Sequence, residues 1–265
     1  MNNKKIAIFD SGLGGLTVLK ELKRILPNEN YLYFGDVAHL PYGNKSREAI
    51  IQYSKKIIRF LIKDEIKIII FACNTASSFA LDYIKQKFNI PMIGAVKPSI
   101  LYALSQTTSQ NIAVIGTEAT ISSNIYQELI KEESQQAKII GISCPLFVPI
   151  IEEGWQNTDV AINIAKAYLK PINHSKADTL ILGCTHYPLL KETLQSVVNT
   201  KIQLVDCSLS IAESTKQYIQ RNQLLNKTHN NNSIEFFVTD LPQKFNFMAS
   251  QFLGEKIKDI KKVSI

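Results

Sequence analysis

Two parts of this 265-residue chain carry the same succession of strand, turn and helix. The segment IAIFDSGLGGLTVLKEL, from Ile6, resembles IAVIGTEATISSNIYQEL, from Ile112. Further along each part, at a similar distance, IIIFACNTASSFAL around Cys73 is matched by LILGCTHYPLL around Cys184. Self-similarity of this kind indicates a duplicated structural unit. We therefore expect two similar lobes related by a pseudo-twofold axis, each with a strand that ends in a cysteine.

The spacing of apolar residues predicts the class of fold. Short β-branched runs (KKIAIFD, YLYFGD, IKIIIFA, PMIGA, NIAVIG, AKIIGIS, DTLILG, IQLVD) alternate with segments of helical period. Such alternation is typical of α/β proteins with largely parallel sheets. The pattern predicts two three-layer α/β lobes facing one cleft, residues 1–97 plus 208–265 and residues 98–207. The tail, with the turn-prone HNNNS and the strand IEFFVTD, is too short for a domain and is expected to return to the first lobe.

Composition narrows the classes of function. The chain is 45% hydrophobic and 20% charged, and none of its apolar runs approaches the roughly 20 residues that span a bilayer. We expect neither a signal peptide nor a membrane anchor. The four cysteines are widely spaced, without a C-x-x-C pair or the spacing of metal ligands. The sequence thus predicts free thiols in a reducing cytoplasm and no metal site.

The charge of the chain suits a small anionic substrate. The formal net charge is +7, from scattered Lys and Arg with a modest cluster at Lys256, Lys258, Lys261 and Lys262. We interpret this cluster as the solvated face of a helix. The sequence has no motif for nucleic acid, and net charge alone does not decide between such a partner and a small anion.

Several chemically active side chains follow predicted strands. Asp10, Cys73, Thr117 and Cys184 all stand where a strand ends, and ligands of α/β sheets bind at that edge. Cys73 precedes small hydrogen-bonding residues suited to a helix start. Because a helix N-terminus favours a thiolate, we expect the pKa of Cys73 to fall from roughly 8.5 toward neutrality.

Other residues near the two cysteines have roles to be tested. His186 is placed to tune the protonation of Cys184, and Glu152 to orient His186, although nothing local distinguishes Glu152 from Glu153. The glycines of SGLGG lack the spacing of a dinucleotide or phosphate loop, so no nucleotide cofactor is predicted. Their backbone N–H groups suit an anion such as a carboxylate.

The ordered motifs FDSGLGGLTVL, YFGDVAHLPYG, FACNTASS, VIGT and LGCTHYPLL resemble the glutamate racemase family over about residues 6–214. The resemblance implies a cofactor-independent, cytoplasmic, homodimeric enzyme that interconverts L- and D-glutamate and supplies the D-isomer for peptidoglycan. It further implies that Cys73 and Cys184 act on the α-protons of opposite enantiomers, Asp10 assisting the first thiol and His186 with Glu152 the second. Racemisation without a cofactor requires such a base and acid on opposite faces of the α-carbon.

The resemblance also implies a set of residues that hold the amino and carboxylate groups of the substrate. These are Asp10, Ser11, Pro41, Tyr42, Gly43, Cys73, Asn74, Thr75, Thr117, Thr120, Thr185 and His186.

Three alternatives remain open at this point. An aspartate racemase of the same fold is the nearest, although Thr185-His186 after Cys184 resembles the glutamate branch. A cysteine hydrolase would use only one of the two thiols and leaves the repeat unexplained. In a two-lobed ligand sensor both thiols would be incidental core residues.

Overall fold

The strands of the protein form two sheets in which each pairing of the described residues is parallel. The computed structural model describes residues 4–226, 233–241, 245–257 and 259–265. The strands are β1 (Lys5–Asp10), β2 (Tyr31–Gly35), β3 (Ile66–Phe71), β4 (Met92–Gly94), β5 (Asn111–Gly116), β6 (Lys138–Ser143), β7 (Thr179–Gly183), β8 (Gln203–Asp206), β9 (Ile234–Val238) and β10 (Ile260–Lys262). All eight strand segments predicted from the short β-branched runs are present.

Helices cover both faces of the sheets. They are α1 (Leu16–Ile25), α2 (Arg47–Leu61), α3 (Asn74–Lys87), α4 (Val96–Gln106), α5 (Glu118–Ser122), α6 (Ile125–Glu133), α7 (Phe147–Glu152), α8 (Asp159–Asn173), α9 (Lys191–Val197), α10 (Cys207–Arg221) and α11 (Phe245–Leu253). Alternate residues of a strand point to opposite faces, so Ile6 and Ile8 join one apolar core while Ala7 and Phe9 join another. This layering confirms the predicted α/β class.

The order of the strands repeats between the sheets. The first sheet runs β10-β9-β2-β1-β3-β4 and the second runs β6-β5-β7-β8. The second order equals β2-β1-β3-β4 once its strands are numbered from β5. The two cysteines follow equivalent strands, because Cys73 comes two residues after the end of β3 and Cys184 directly after β7. The expectation of two similar lobes is therefore confirmed.

The C-terminal tail returns to the first sheet. β9 pairs with β2, and β10 pairs with β9 at the edge. The interpretation of the terminal lysines as a helix face is wrong, because Lys261 and Lys262 lie in β10, where they pair with Glu235 and Asp240. Lys258 and most of the HNNNS segment lie outside the described residues. The exact lobe boundaries, 1–97 plus 208–265 and 98–207, stay a prediction.

The helices of the described ranges are all too short or too polar to cross a membrane.

Candidate active site

A cavity between the two lobes collects most of the residues that the sequence singled out. It is lined by Ser11, Leu40, Pro41, Tyr42, Gly43, Cys73, Asn74, Thr75, Thr117, Val148, Gly183, Cys184, Thr185 and His186. Three predicted residues, Asp10, Thr120 and Glu152, do not line it but hydrogen-bond to residues that do. Each lobe contributes one of the two thiols.

Cys73 forms the N-cap of α3, as its sequence context predicts. Its Sγ accepts a hydrogen bond from the Ala76 N–H at 3.5 Å, and the residue is buried. The expected fall in its pKa is wrong. Burial, and next the carboxylate of Asp10, raise the pKa of Cys73 to about 11, which the Ser11 hydroxyl and the helix amides offset only in part. Without substrate, Cys73 is therefore a thiol at neutral pH.

Cys184 is flanked by the His186 ring. Its Sγ lies 3.9 Å from His186 Nδ1, and His186 Nε2 lies 3.2 Å from a carboxylate oxygen of Glu152. The same imidazole and the ring of Phe252 pack in a T-shaped arrangement, with centroids 5.1 Å apart. Burial raises the pKa of Cys184 well above its ordinary value, so this sulfur is also protonated at rest. The contact with His186 distinguishes Glu152 from Glu153, which the sequence left open.

Asp10 connects the loop after β1 to the second lobe. It is fully buried, and its Oδ2 accepts from the Gly12 N–H at 2.9 Å while Oδ1 accepts from the Thr185 hydroxyl at 3.3 Å. Burial raises its pKa despite the nearby His186 ring. The Thr185 hydroxyl therefore links Asp10 to the side of the cavity that carries Cys184.

Three threonine hydroxyls meet where the lobes join. Thr75 Oγ1 lies 2.9 Å from Thr117 Oγ1 and 3.0 Å from Thr120 Oγ1, and the last two are 3.0 Å apart. Thr75 belongs to α3, whereas Thr117 is the N-cap of α5. The cluster provides O–H donors, beside two helix N-termini, that suit a carboxylate.

Tyr42 and Gly43 close another side of the cavity. The Tyr42 hydroxyl donates to Asp36 Oδ2 at 2.6 Å. A Cβ on Gly43 would lie 2.8 Å from the Cβ of Thr117, so this residue packs directly against the second lobe. Asp36 was not predicted from the sequence, although an acidic residue where a strand ends, as at Asp10, was a usable signal.

Asn74 is held by two residues that the sequence did not single out. Its Oδ1 accepts from the Tyr126 hydroxyl at 2.8 Å, and its Nδ2 donates to Cys207 Sγ at 3.8 Å. Tyr126 lies on α6 of the second lobe, and Cys207 begins α10. Neither residue carries a local sequence signal, because both contacts join segments that are far apart in the chain.

The arrangement is suited to proton transfer at a carbon atom. A cavity with one thiol from each lobe offers two acid–base groups to a single bound molecule. Within the described ranges, no group of three or more His, Cys, Asp or Glu side chains is placed to hold a metal ion.

Comparison with known proteins agrees with the motifs. The family model Asp/Glu/hydantoin racemase matches residues 13–215. A glutamate racemase of Geobacter metallireducens is 42% identical over 262 residues, covering 99% of this chain and 97% of the relative.

Two solved structures extend the agreement to the fold. A glutamate racemase from Francisella tularensis, in complex with D-glutamate, superposes with a TM-score of 0.94 at 38% identity, over 100% of this chain and 98% of that one. A glutamate racemase isoform from Bacillus anthracis gives a TM-score of 0.96 at 31% identity, over 100% and 99% of the two chains. The chain therefore belongs to the Asp/Glu/hydantoin racemase family.

Proposed function

We propose that this chain interconverts L- and D-glutamate by proton transfer at the α-carbon, with Cys73 and Cys184 as the two acid–base groups. The observation that carries the proposal is the placement of these thiols at the ends of equivalent strands, on one cavity between the lobes. The glutamate racemases that cover nearly the whole chain support glutamate as the substrate.

The chemistry needs one thiolate and one thiol at the start of each turnover. The thiolate removes the α-hydrogen as a proton, and the electron pair of the broken C–H bond is delocalised into the substrate carboxylate. The other thiol then donates its proton to the opposite face of the α-carbon. After turnover the first sulfur is a thiol and the second a thiolate, so the enzyme is ready for the opposite enantiomer.

Binding of the substrate can favour conversion of one of the two thiols to a thiolate. In the free site burial raises the pKa of both sulfurs. An amino acid brings an α-ammonium group into the cavity, and a nearby positive charge favours an anion. The proton that leaves the sulfur would pass to Asp10 when Cys73 becomes the thiolate, and to His186, paired with Glu152, when Cys184 does.

The remaining polar groups suit the carboxylates of glutamate. The N–H groups at the start of α3 and the hydroxyls of Thr75, Thr117 and Thr185 are hydrogen-bond donors. Donors on the α-carboxylate would stabilise the charge that develops as the proton leaves. Ser11, Tyr42, Gly43 and the other cavity residues would complete the contacts.

The physiological part of the proposal follows from the same resemblance. The enzyme would work in the cytoplasm as a homodimer, without a cofactor, and supply D-glutamate for peptidoglycan.

The test is circular dichroism of the purified chain, without added cofactor, on L-glutamate and D-glutamate. Decay of the signal to zero from both enantiomers is expected for the wild type, and neither Cys73→Ser nor Cys184→Ser should reach that equilibrium at a measurable rate. Cys144→Ser is the matched control, because Cys144 is a fully buried free thiol that does not line the cavity. Its activity should remain near the wild-type value.

An aspartate substrate is the alternative with the same mechanism. L-aspartate is therefore assayed beside glutamate under the same conditions. Decay with aspartate and a flat trace with glutamate would reject the proposed substrate, and flat traces with both would reject the racemase.

A further inference from the structure

The carboxamide of Asn74 lies on the cavity wall with both of its ends engaged by the protein. Its oxygen accepts from the Tyr126 hydroxyl at 2.8 Å. One of its N–H groups points to Cys207 Sγ at 3.8 Å, and the other has no acceptor among the residues that the structure describes. Asn74 therefore has one N–H left for a molecule in the cavity.

An asparagine carboxamide has no intrinsic preference for which of its two ends faces the cavity. Rotation about the last side-chain bond of asparagine is soft, and exchanging the oxygen and nitrogen changes little in shape. The partners decide which end faces the cavity. Of the two partners, the Tyr126 hydroxyl makes the short hydrogen bond, whereas sulfur is a weak acceptor.

Tyr126 is itself held firmly in place. Its ring is buried in the core of the second lobe with Ile112, Val114 and Ile181, and its hydroxyl reaches Asn74 of the first lobe. Burial, and then the Cys207 and Cys184 side chains, raise its pKa well above the ordinary range. The hydroxyl therefore stays protonated and remains a hydrogen-bond donor to Asn74.

We infer that Tyr126 is a positioning residue, which turns the Asn74 carboxamide so that it presents an N–H donor to a carboxylate of the substrate. The inference rests on the proposed function, because an anionic substrate is what makes the choice of end matter. The opposite orientation would present the carbonyl oxygen to the carboxylate and repel it. Since Tyr126 and Asn74 belong to different lobes, the donor is correctly placed only when the lobes are joined.

Removing the hydroxyl should release this constraint. In Tyr126→Phe the Asn74 oxygen loses its donor and can turn toward the thiol of Cys207, which is able to donate. In a fraction of the enzyme molecules, the hydrogen bond from Asn74 to the substrate carboxylate would then be lost. We expect kcat/KM for glutamate to fall about tenfold, mainly through a higher KM.

The control is Tyr31→Phe, which also removes the hydroxyl of a fully buried tyrosine. The Tyr31 hydroxyl donates to the carbonyl groups of Leu22 and Leu26, at the end of the first sheet away from the cavity. This variant should keep the wild-type kcat and KM, and thermal unfolding of both variants shows that each is folded at the assay temperature.

A double-mutant cycle separates positioning through Asn74 from a general structural effect. In the Asn74→Ala background, Tyr126→Phe should cause no further loss, because the group that it positions is gone. If these variants turn over too slowly, the dissociation constant of D-glutamate from calorimetry replaces kcat/KM.

The outcomes distinguish this inference from the proposed function. Wild-type protein that does not racemise glutamate rejects the proposed function. If the wild type is active, two results overturn the role of Tyr126 and leave the proposed function standing. One is a Tyr126→Phe variant with the KM of the wild type. The other is a Tyr126→Phe loss of the same size in the wild-type and Asn74→Ala backgrounds.

Discussion

Replacing Gly14 by alanine would put a methyl group into space that Thr185 and His186 occupy. A Cβ at Gly14 would lie 2.2 Å from Thr185 Oγ1 and 2.6 Å from His186 Nδ1, where ordinary contacts are 3.4–4 Å. These two side chains would have to move by roughly 1 Å. Thr185 is bonded to Asp10, and His186 lies beside Cys184, so the movement would disturb both halves of the site.

A displacement of this size at reacting groups can lower a rate about 100-fold. We therefore expect kcat/KM of Gly14→Ala for both glutamate enantiomers to fall by roughly that factor. Circular dichroism gives the rates, and thermal unfolding shows whether the variant is folded.

Gly141→Ala is the matched control. Gly141 lies in β6 outside the cavity, and its added Cβ would meet its nearest neighbours, Gln127 and Ile121, at 3.3 Å. Its activity should stay near that of the wild type. A folded Gly14→Ala variant with kcat/KM within about threefold of wild type would refute the reasoning.

Three further results are expected. Alkylation of Cys73 by iodoacetamide in ligand-free protein is followed by mass spectrometry. Its rate should rise with pH and level off only near the pKa of about 11. A plateau below neutral pH would contradict this. Lys67→Met should lower the free energy of unfolding in urea by about 3–5 kcal/mol, because it leaves the buried carboxylate of Glu29 without its ion pair; a loss below about 1 kcal/mol would disagree. Asp178 is partly buried, but hydrogen bonds from Thr107 and neighbouring groups hold its pKa below the ordinary range. The ionised Asp178 therefore stabilises the fold above about pH 4. This stabilisation is lost as the pH falls toward the pKa of Asp178 in the folded protein. Wild type and Asp178→Asn should therefore differ in urea stability at neutral pH and converge in acid, and a difference independent of pH would argue against this.

Much of the fold was predictable because local patterns of apolar residues indicate where the strands and helices form. The apolar strand segments and the repeat from Ile6 and Ile112 predicted two parallel sheets, and their shared strand order follows from duplication. The positions of Cys73 and Cys184 followed from the rule that parallel strands present their carboxyl ends at one edge.

The errors have a common physical origin. The pKa of Cys73 depends on its burial beside Asp10, whereas the sequence shows only the helix start that follows it. The helix-dipole effect is worth less than the loss of solvation in a closed site. The lysine cluster pairs with carboxylates on β9 and just after it, which are contacts between separate segments.

The contacts that complete the site were equally invisible. Tyr126 has no motif, and its helix position alone would place it in the core, where its ring indeed lies. Only the packing of one lobe on the other brings its hydroxyl to Asn74.

The most direct test of two thiols on opposite faces is the fate of the α-hydrogen in D2O. L-glutamate and D-glutamate are each incubated with the enzyme, and proton NMR of the separated enantiomers is recorded before equilibrium. A donor distinct from the base predicts that the newly formed enantiomer carries deuterium while the remaining substrate keeps its proton, in both directions. Deuterium entering the starting enantiomer as fast as the product, or product that retains the original hydrogen, would contradict the two-thiol account.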